Sequence, residues 1–314
     1  MSDLLDKKLL FITGKGGVGK TSVATGLAYL AANSGKKTLV CEVDPKGDLA
    51  RSFECASTPY SGIEITDNLL AMSMDTESSL REYLRLQLRV PVIGRIGPVA
   101  KAFEFVSTAA PGVREILTVG KFLYEVKNNT YDLIIVDASP TGHIVSQLAA
   151  PQALRELVKL GPVKSQTEWM MDILGDPTKT GVVVVTTTEE MPVNETIELT
   201  KKIKAETNVT LSAVVINQVL PELFSTDEEA AFTTLFTDTN TELLTQRLNG
   251  SPQTILRAAQ LAVTLRRMRS EFLEKLRANI DSSIPQIYLP YRFNKLTGLK
   301  SVKATSVALA EEIN

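Results

Sequence analysis

Residues 14–21 of this chain read Gly14-Lys15-Gly16-Gly17-Val18-Gly19-Lys20-Thr21. The spacing is G-x-x-x-x-G-K-[ST], a loop whose backbone N–H groups wrap phosphate oxygens. Just before it, Leu9 to Thr13 is an apolar, partly β-branched run that reads as a buried strand. Just after it, Ser22 to Ala32 carries apolar residues at helical spacing and runs to a stop at Gly35. Strand, glycine loop and helix together point a positive helix N-terminus at an anion.

Working outward, further strands are expected at Lys37–Val43, Tyr131–Val136, Gly181–Thr186, Leu211–Ile216 and Ile284–Leu289. Helical textures alternate with them, and a closing helix is expected over Lys300–Ile313. Such alternation implies an α/β fold, a doubly wound, mostly parallel sheet covered on both faces. With the loop at residues 14–21 this is the fold of a P-loop NTPase. Residues 1–314 read as a single domain, with a helical subdomain inserted at about 76–130 and 151–176.

Composition sets the boundaries. The chain has 314 residues, 34 basic and 36 acidic, for a formal charge of −2, so no nucleic-acid partner is indicated. Met1 to Lys8 has no apolar signal-peptide core, and no apolar run reaches the length of a membrane span. The segment Ala304–Asn314 is small and ends acidic, a poor membrane-surface helix. The two cysteines, Cys41 and Cys55, suit a reducing compartment, and the single histidine, His143, rules out a histidine-rich metal site. These features place the chain in the cytoplasm.

The chemistry follows from the loop. Lys20 is placed to reach the β- and γ-phosphates, and the Thr21 hydroxyl to ligate Mg²⁺. Asp137 closes the apolar strand and is the expected second carboxylate for the metal. Asp44, at the end of the strand beside the loop, is the candidate for orienting the attacking water. Lys15 is unusual at the second loop position. Its residue type leaves two options, a solvated loop lysine or a cation that reaches a second subunit's nucleotide.

Taken in order, these motifs resemble the arsenite-transport and GET-pathway ATPases, a branch of the dimeric ATPases with a deviant Walker A loop. The loop Lys15-Gly16-Gly17-Val18-Gly19-Lys20-Thr21 carries the resemblance first. Asp44-Pro45 with Leu49 and Phe53 is similar to switch I, and Asp137-Ala138-Ser139-Pro140-Thr141-Gly142-His143 to switch II. Pro111-Gly112 with Glu115, Glu189 with Glu195-Thr196, Val215-Ile216-Asn217-Gln218 and Leu289-Pro290 complete the set.

The resemblance implies that ATP and Mg²⁺ are bound and that the active form is a dimer. Its partner would be a second copy or a paralogous ATPase. Lys15 would cross that dimer to the partner's phosphates, Asp44 would hold the water, and Asp137 would bind Mg²⁺ through water. The nucleotide set would comprise Gly14, Lys15, Gly16, Gly17, Val18, Gly19, Lys20, Thr21, Ser22, Glu189, Asn217 and Pro290.

A hydrophobic helical client is implied as well, in a groove lined by Leu84, Leu88, Val92, Ile93, Ile96, Val99, Phe103 and Val106, with Trp169, Met170, Met171 and Leu174. The chain departs from the family pattern at Lys46-Gly47-Asp48, where Ala-His-Asn is usual, and at Ser146, where Arg is usual. It has no C-x-x-C and one phosphate loop, as expected of a single-copy bacterial member without the zinc clasp. A nucleotide-gated scaffold subunit with weak ATPase activity is the alternative reading.

Overall fold

Strand β1 (Leu9–Gly14) is buried along its whole length, as a central strand with helices on both faces must be. In the computed structural model, which describes residues 4–88, 113–157, 162–222, 224–248 and 251–313, β1 lies inside an eight-stranded sheet. Its companions are β2 (Thr38–Glu42), β3 (Ile63–Thr66), β4 (Leu69–Ser73), β5 (Leu133–Asp137), β6 (Thr180–Thr187), β7 (Leu211–Val219) and β8 (Gln286–Pro290). Across the sheet the order is β3-β4-β2-β5-β1-β6-β7-β8. All neighbours are parallel except β3 and β4.

The hairpin β3–β4 has no counterpart in the sequence expectations. Its strands are four and five residues long, and β4 reads Leu-Leu-Ala-Met-Ser, without a β-branched residue. Pairing to β2 makes it a strand. Leu39 lies opposite Leu70 and Cys41 opposite Met72.

Eleven described helices cover the sheet. They are α1 (Lys20–Asn33), α2 (Asp48–Phe53), α3 (Thr76–Leu88), α4 (Val113–Lys127), α5 (Thr141–Leu157), α6 (Pro162–Gly175), α7 (Glu190–Glu206), α8 (Thr226–Thr234), α9 (Asp238–Leu248), α10 (Gln253–Asn279) and α11 (Gly298–Ile313). Strand alternation divides the core between two faces. Leu10 and Ile12 join Leu27, Ala28, Val302 and Leu309 beneath α1 and α11. Leu9 and Phe11 join Phe122, Leu123, Ile144 and Met170 beneath α4, α5 and α6. Phe11 meets Phe122 edge to face, with ring centroids 6.5 Å apart.

This second face corrects part of the expected client groove. Met170 and Leu174 are 4% and 3% exposed and belong to the core under the sheet. Trp169 packs against the same cluster and carries the Lys127 ammonium over its ring at 4.4 Å. Three apolar residues in a row turn only one or two toward the sheet, and here the sheet takes Met170 while Met171 stays half-buried. Pro111, Gly112, Val92, Ile93, Ile96, Val99, Phe103 and Val106 lie outside the described residues, as do the side chains of Leu84 and Leu88.

Candidate nucleotide site at the carboxyl edge of the sheet

The carboxyl ends of β1, β2, β5, β6, β7 and β8 share one edge, the edge where open α/β sheets hold ligands. The glycine loop leaves β1 there and enters α1 through Gly19 at φ +94°. No side chain caps α1, and its first turn carries no acid, so its free N–H groups face the loop's own concavity. Gly19 is required twice over. Its φ lies in the left-handed region, and a Cβ would stand 2.3 Å from Asn217 Nδ2. Asn217 donates from Nδ2 to the Val18 carbonyl at 2.9 Å, tying the loop to β7, while Val18 itself is buried.

Thr21 Oγ1 donates to Asp137 Oδ2 at 2.5 Å. The other carboxylate oxygen, Oδ1, is buried with no hydrogen-bond partner. Burial is the largest influence on Asp137 and pushes its carboxyl from 3.8 up to about 6, against the pull of the Thr21 hydroxyl and Lys20. Two hard oxygens, one of them orphaned, form a donor set that fits a hard divalent cation such as Mg²⁺. Lys20 donates from Nζ to the Lys15 carbonyl at 3.1 Å. Burial also lowers the Lys20 ammonium, opposed by the charge of Asp137 and reinforced by that of Lys46.

A cavity of about 720 Å³ opens over the loop. Its lining includes Gly16, Gly17, Gly19, Lys20, Thr21 and Ser22 from the loop and α1, and Lys46, Asp48, Arg51 and Glu54 from the segment after β2. A second cavity of about 240 Å³ shares Ser22, Leu296, Ser301 and Thr305 with the first. Its remaining walls include Asn217, Gln218, Pro290 and Arg292. The site therefore has a phosphate end against β1 and β2 and a second end against β7 and β8.

The other expected residues take varied places. Asp44 is half-buried in the turn after β2, where its charge acts on Lys20, but Asp48 rather than Asp44 walls the cavity. Lys15 is ion-paired within its own chain to Glu195 Oε1, and Glu195 Oε2 accepts from Thr141 Oγ1 at 3.2 Å. Glu189 precedes α7 and pairs with Arg269 of α10 at 3.1 Å, apart from the walls of both cavities. Among the described residues, no helix is long and apolar enough to cross a membrane, and no cluster of three histidine, cysteine or acidic side chains is poised for a metal.

Residues 7–171 and 155–245 match the family described as Anion-transporting ATPase. The chain belongs to this family. It is 34% identical to ATPase BagA of Mycobacterium tuberculosis over 231 residues, covering 70% of this chain and 67% of that protein. It is 25% identical to the ATPase ASNA1 homolog of Plasmodium vivax over 348 aligned positions, 99% of this chain and 91% of that one. It is 32% identical to ATPase get3 of Neurospora crassa over 171 residues, 53% and 50% of the two chains. This chain is thus an ATPase, with the nucleotide-binding site that family membership entails.

Sequence reasoning missed two features at this candidate site. Glu42 is 3% exposed and accepts the backbone N–H groups of Lys46 and Asp48 on Oε1 at 3.0 and 3.1 Å. A lone acid inside the apolar run Thr38–Val43 was the available signal. Ser301 and Thr305 reach the site from α11, nearly 300 residues from the loop, and carried no signal at all.

Proposed function

We propose that this ATPase hydrolyses ATP with Mg²⁺ as a dimer, its closure coupled to a hydrophobic helical client. The observation that carries the reading is the Thr21–Asp137 contact, with its orphaned carboxylate oxygen, at the mouth of the phosphate loop. Gly14 to Ser22 supply N–H groups and Lys20 to the phosphates. Thr21 and Asp137 would hold Mg²⁺, which would supply charge stabilisation to the phosphates. Asp44 orients the water, and Asn217 and Pro290 wall the nucleoside end. In the dimer Lys15 exchanges Glu195 for the partner's phosphates.

A second reading is a nucleotide-gated subunit with weak turnover that pairs with a paralogue. Two observations favour it, the pairing of Lys15 within its own chain and the placement of Asp44 off the cavity wall.

The test is the ATPase rate and solution mass of wild type, Lys15→Ala and Asp44→Ala, with and without EDTA. The first reading expects a Mg²⁺-dependent rate, reduced about 100-fold or more in Asp44→Ala, a loss typical of removing a positioned catalytic group. It expects nucleotide-dependent dimers that Lys15→Ala does not form. Equal rates for wild type and Asp44→Ala would remove the catalytic role of Asp44, and unchanged mass in Lys15→Ala would remove the crossing lysine.

A further inference from the structure

The turn after β2 departs from the family pattern at Lys46-Gly47-Asp48, and its geometry gives that departure a use. Glu42 clamps the turn by accepting the N–H groups of both Lys46 and Asp48, and its Oε2 accepts from Ser73 Oγ at 3.4 Å. Gly47, at φ +75°, lets the backbone bend between those two N–H groups. The backbone is fixed in this way while the Lys46 side chain stands exposed in the wall of the phosphate cavity.

The cations of this cavity differ in how they are engaged. Lys20 donates to the Lys15 carbonyl, and Arg51 is ion-paired with Asp48. Among the described residues, the Lys46 ammonium has no hydrogen bond and no ion pair. It is an exposed cation on a clamped backbone, lining the same cavity as a loop built for phosphates.

Its position along the site specifies which phosphate. The nucleoside end lies toward β7 and β8, where Asn217 and Pro290 stand. The sheet order then runs through β1 and β5, with Thr21 and Asp137, to β2. A nucleotide laid along this edge ends its phosphate chain at the β2 side, against Lys46.

We propose that Lys46 contacts the terminal phosphate of ATP from within its own chain. The proposal rests on the ATPase reading and adds a discriminating cation to it. The γ-phosphate exists only in the triphosphate, so Lys46 selects ATP over ADP and stabilises the charge shared among the transferring oxygens. It supplies in cis part of what Lys15 would supply from a second copy.

The experiment measures dissociation constants for ADP and for a non-hydrolysable ATP analogue, each with Mg²⁺. Wild type, Lys46→Gln, Lys46→Arg and Lys20→Gln are compared at concentrations where mass measurement shows monomer. Lys46→Gln is expected to weaken the analogue about 10-fold and ADP less than 2-fold, with Lys46→Arg restoring most of the loss. An unchanged ratio of the two constants in Lys46→Gln overturns the proposal and leaves the ATPase reading standing. The comparison is repeated at concentrations where the protein is dimeric, and a change in that ratio confined to the dimer overturns the contact in cis. Lys20→Gln separates the two ideas, since it should weaken both nucleotides. If wild type binds neither nucleotide, the ATPase reading itself fails.

Discussion

Asp137 carries the sharpest trade between stability and function in this molecule. Its carboxyl is held near 6 rather than 3.8 because burial disfavours the charged form. A raised acid contributes its stabilisation below the unfolded value, where it is protonated in both states. That contribution is lost as pH rises through about 6, and above it the buried carboxylate is a cost of about 3 kcal/mol. Asp137→Asn should therefore melt higher than wild type at pH 7.5 in metal-free buffer and converge with it below pH 4. Thermal unfolding from pH 4 to 8 measures this, and parallel curves would contradict it. The same substitution should abolish the Mg²⁺-dependent rate.

Gly19 gives a second residue-level expectation. Gly19→Ala should cost about 1–3 kcal/mol and most nucleotide affinity, because φ +94° and the Asn217 amide both oppose a Cβ. Adding Asn217→Ala removes the steric part and leaves the backbone strain, so stability should return in part. Full recovery on urea titration would show that the strain is negligible.

At the scale of elements, one side chain of α7 bridges the phosphate loop and the N-terminus of α5. Glu195 of α7 pairs with Lys15 and accepts from Thr141, so three segments are held by a carboxylate that is one-third exposed. Glu195→Gln keeps the shape and removes the charge. It should lower the ATP concentration needed for dimer formation, a shift of up to several-fold, the scale of a partly exposed ion pair. Sedimentation across an ATP titration checks this. An unchanged midpoint would mean that Lys15 does not move between chains.

Legibility at this scale varied for physical reasons. β1, β5, β6 and β7 were readable because buried parallel strands are continuous apolar runs, such as Gly181 to Val185. β4 was not, because Leu, Ala and Met fit a helix as well as a strand. Two of the expected groove residues failed on orientation. Met170 and Leu174 have the composition of a client surface, but their spacing places both on the side of α6 that meets the sheet.

For the whole molecule, α11 is the element that joins fold and site. Leu309 and Ile313 are buried among the apolar residues shared with α1, while Ser301 and Thr305 of the same helix wall both cavities. Leu309→Ala should cost about 2–5 kcal/mol through the cavity it leaves. Because α11 carries cavity walls at its other end, nucleotide affinity should fall with stability. Urea unfolding paired with nucleotide titration tests the link, and a destabilised variant of unchanged affinity would break it.

The phosphate loop and the doubly wound, mostly parallel sheet around it followed from local spacing, and the family from the resemblance of its ordered motifs. Gly14, Gly17 and Gly19 at positive φ are a backbone requirement, Lys20 and Thr21 follow directly on that turn, and requirements of this kind are written in adjacent residues. Contacts between distant segments were decided only in three dimensions. Lys15 found Glu195 across 180 positions, Glu189 found Arg269 across 80, and Asp48 rather than Asp44 came to wall the cavity. A side chain's charge partner depends on which helix the packing brings alongside, and packing is a property of the whole core rather than of any stretch within it.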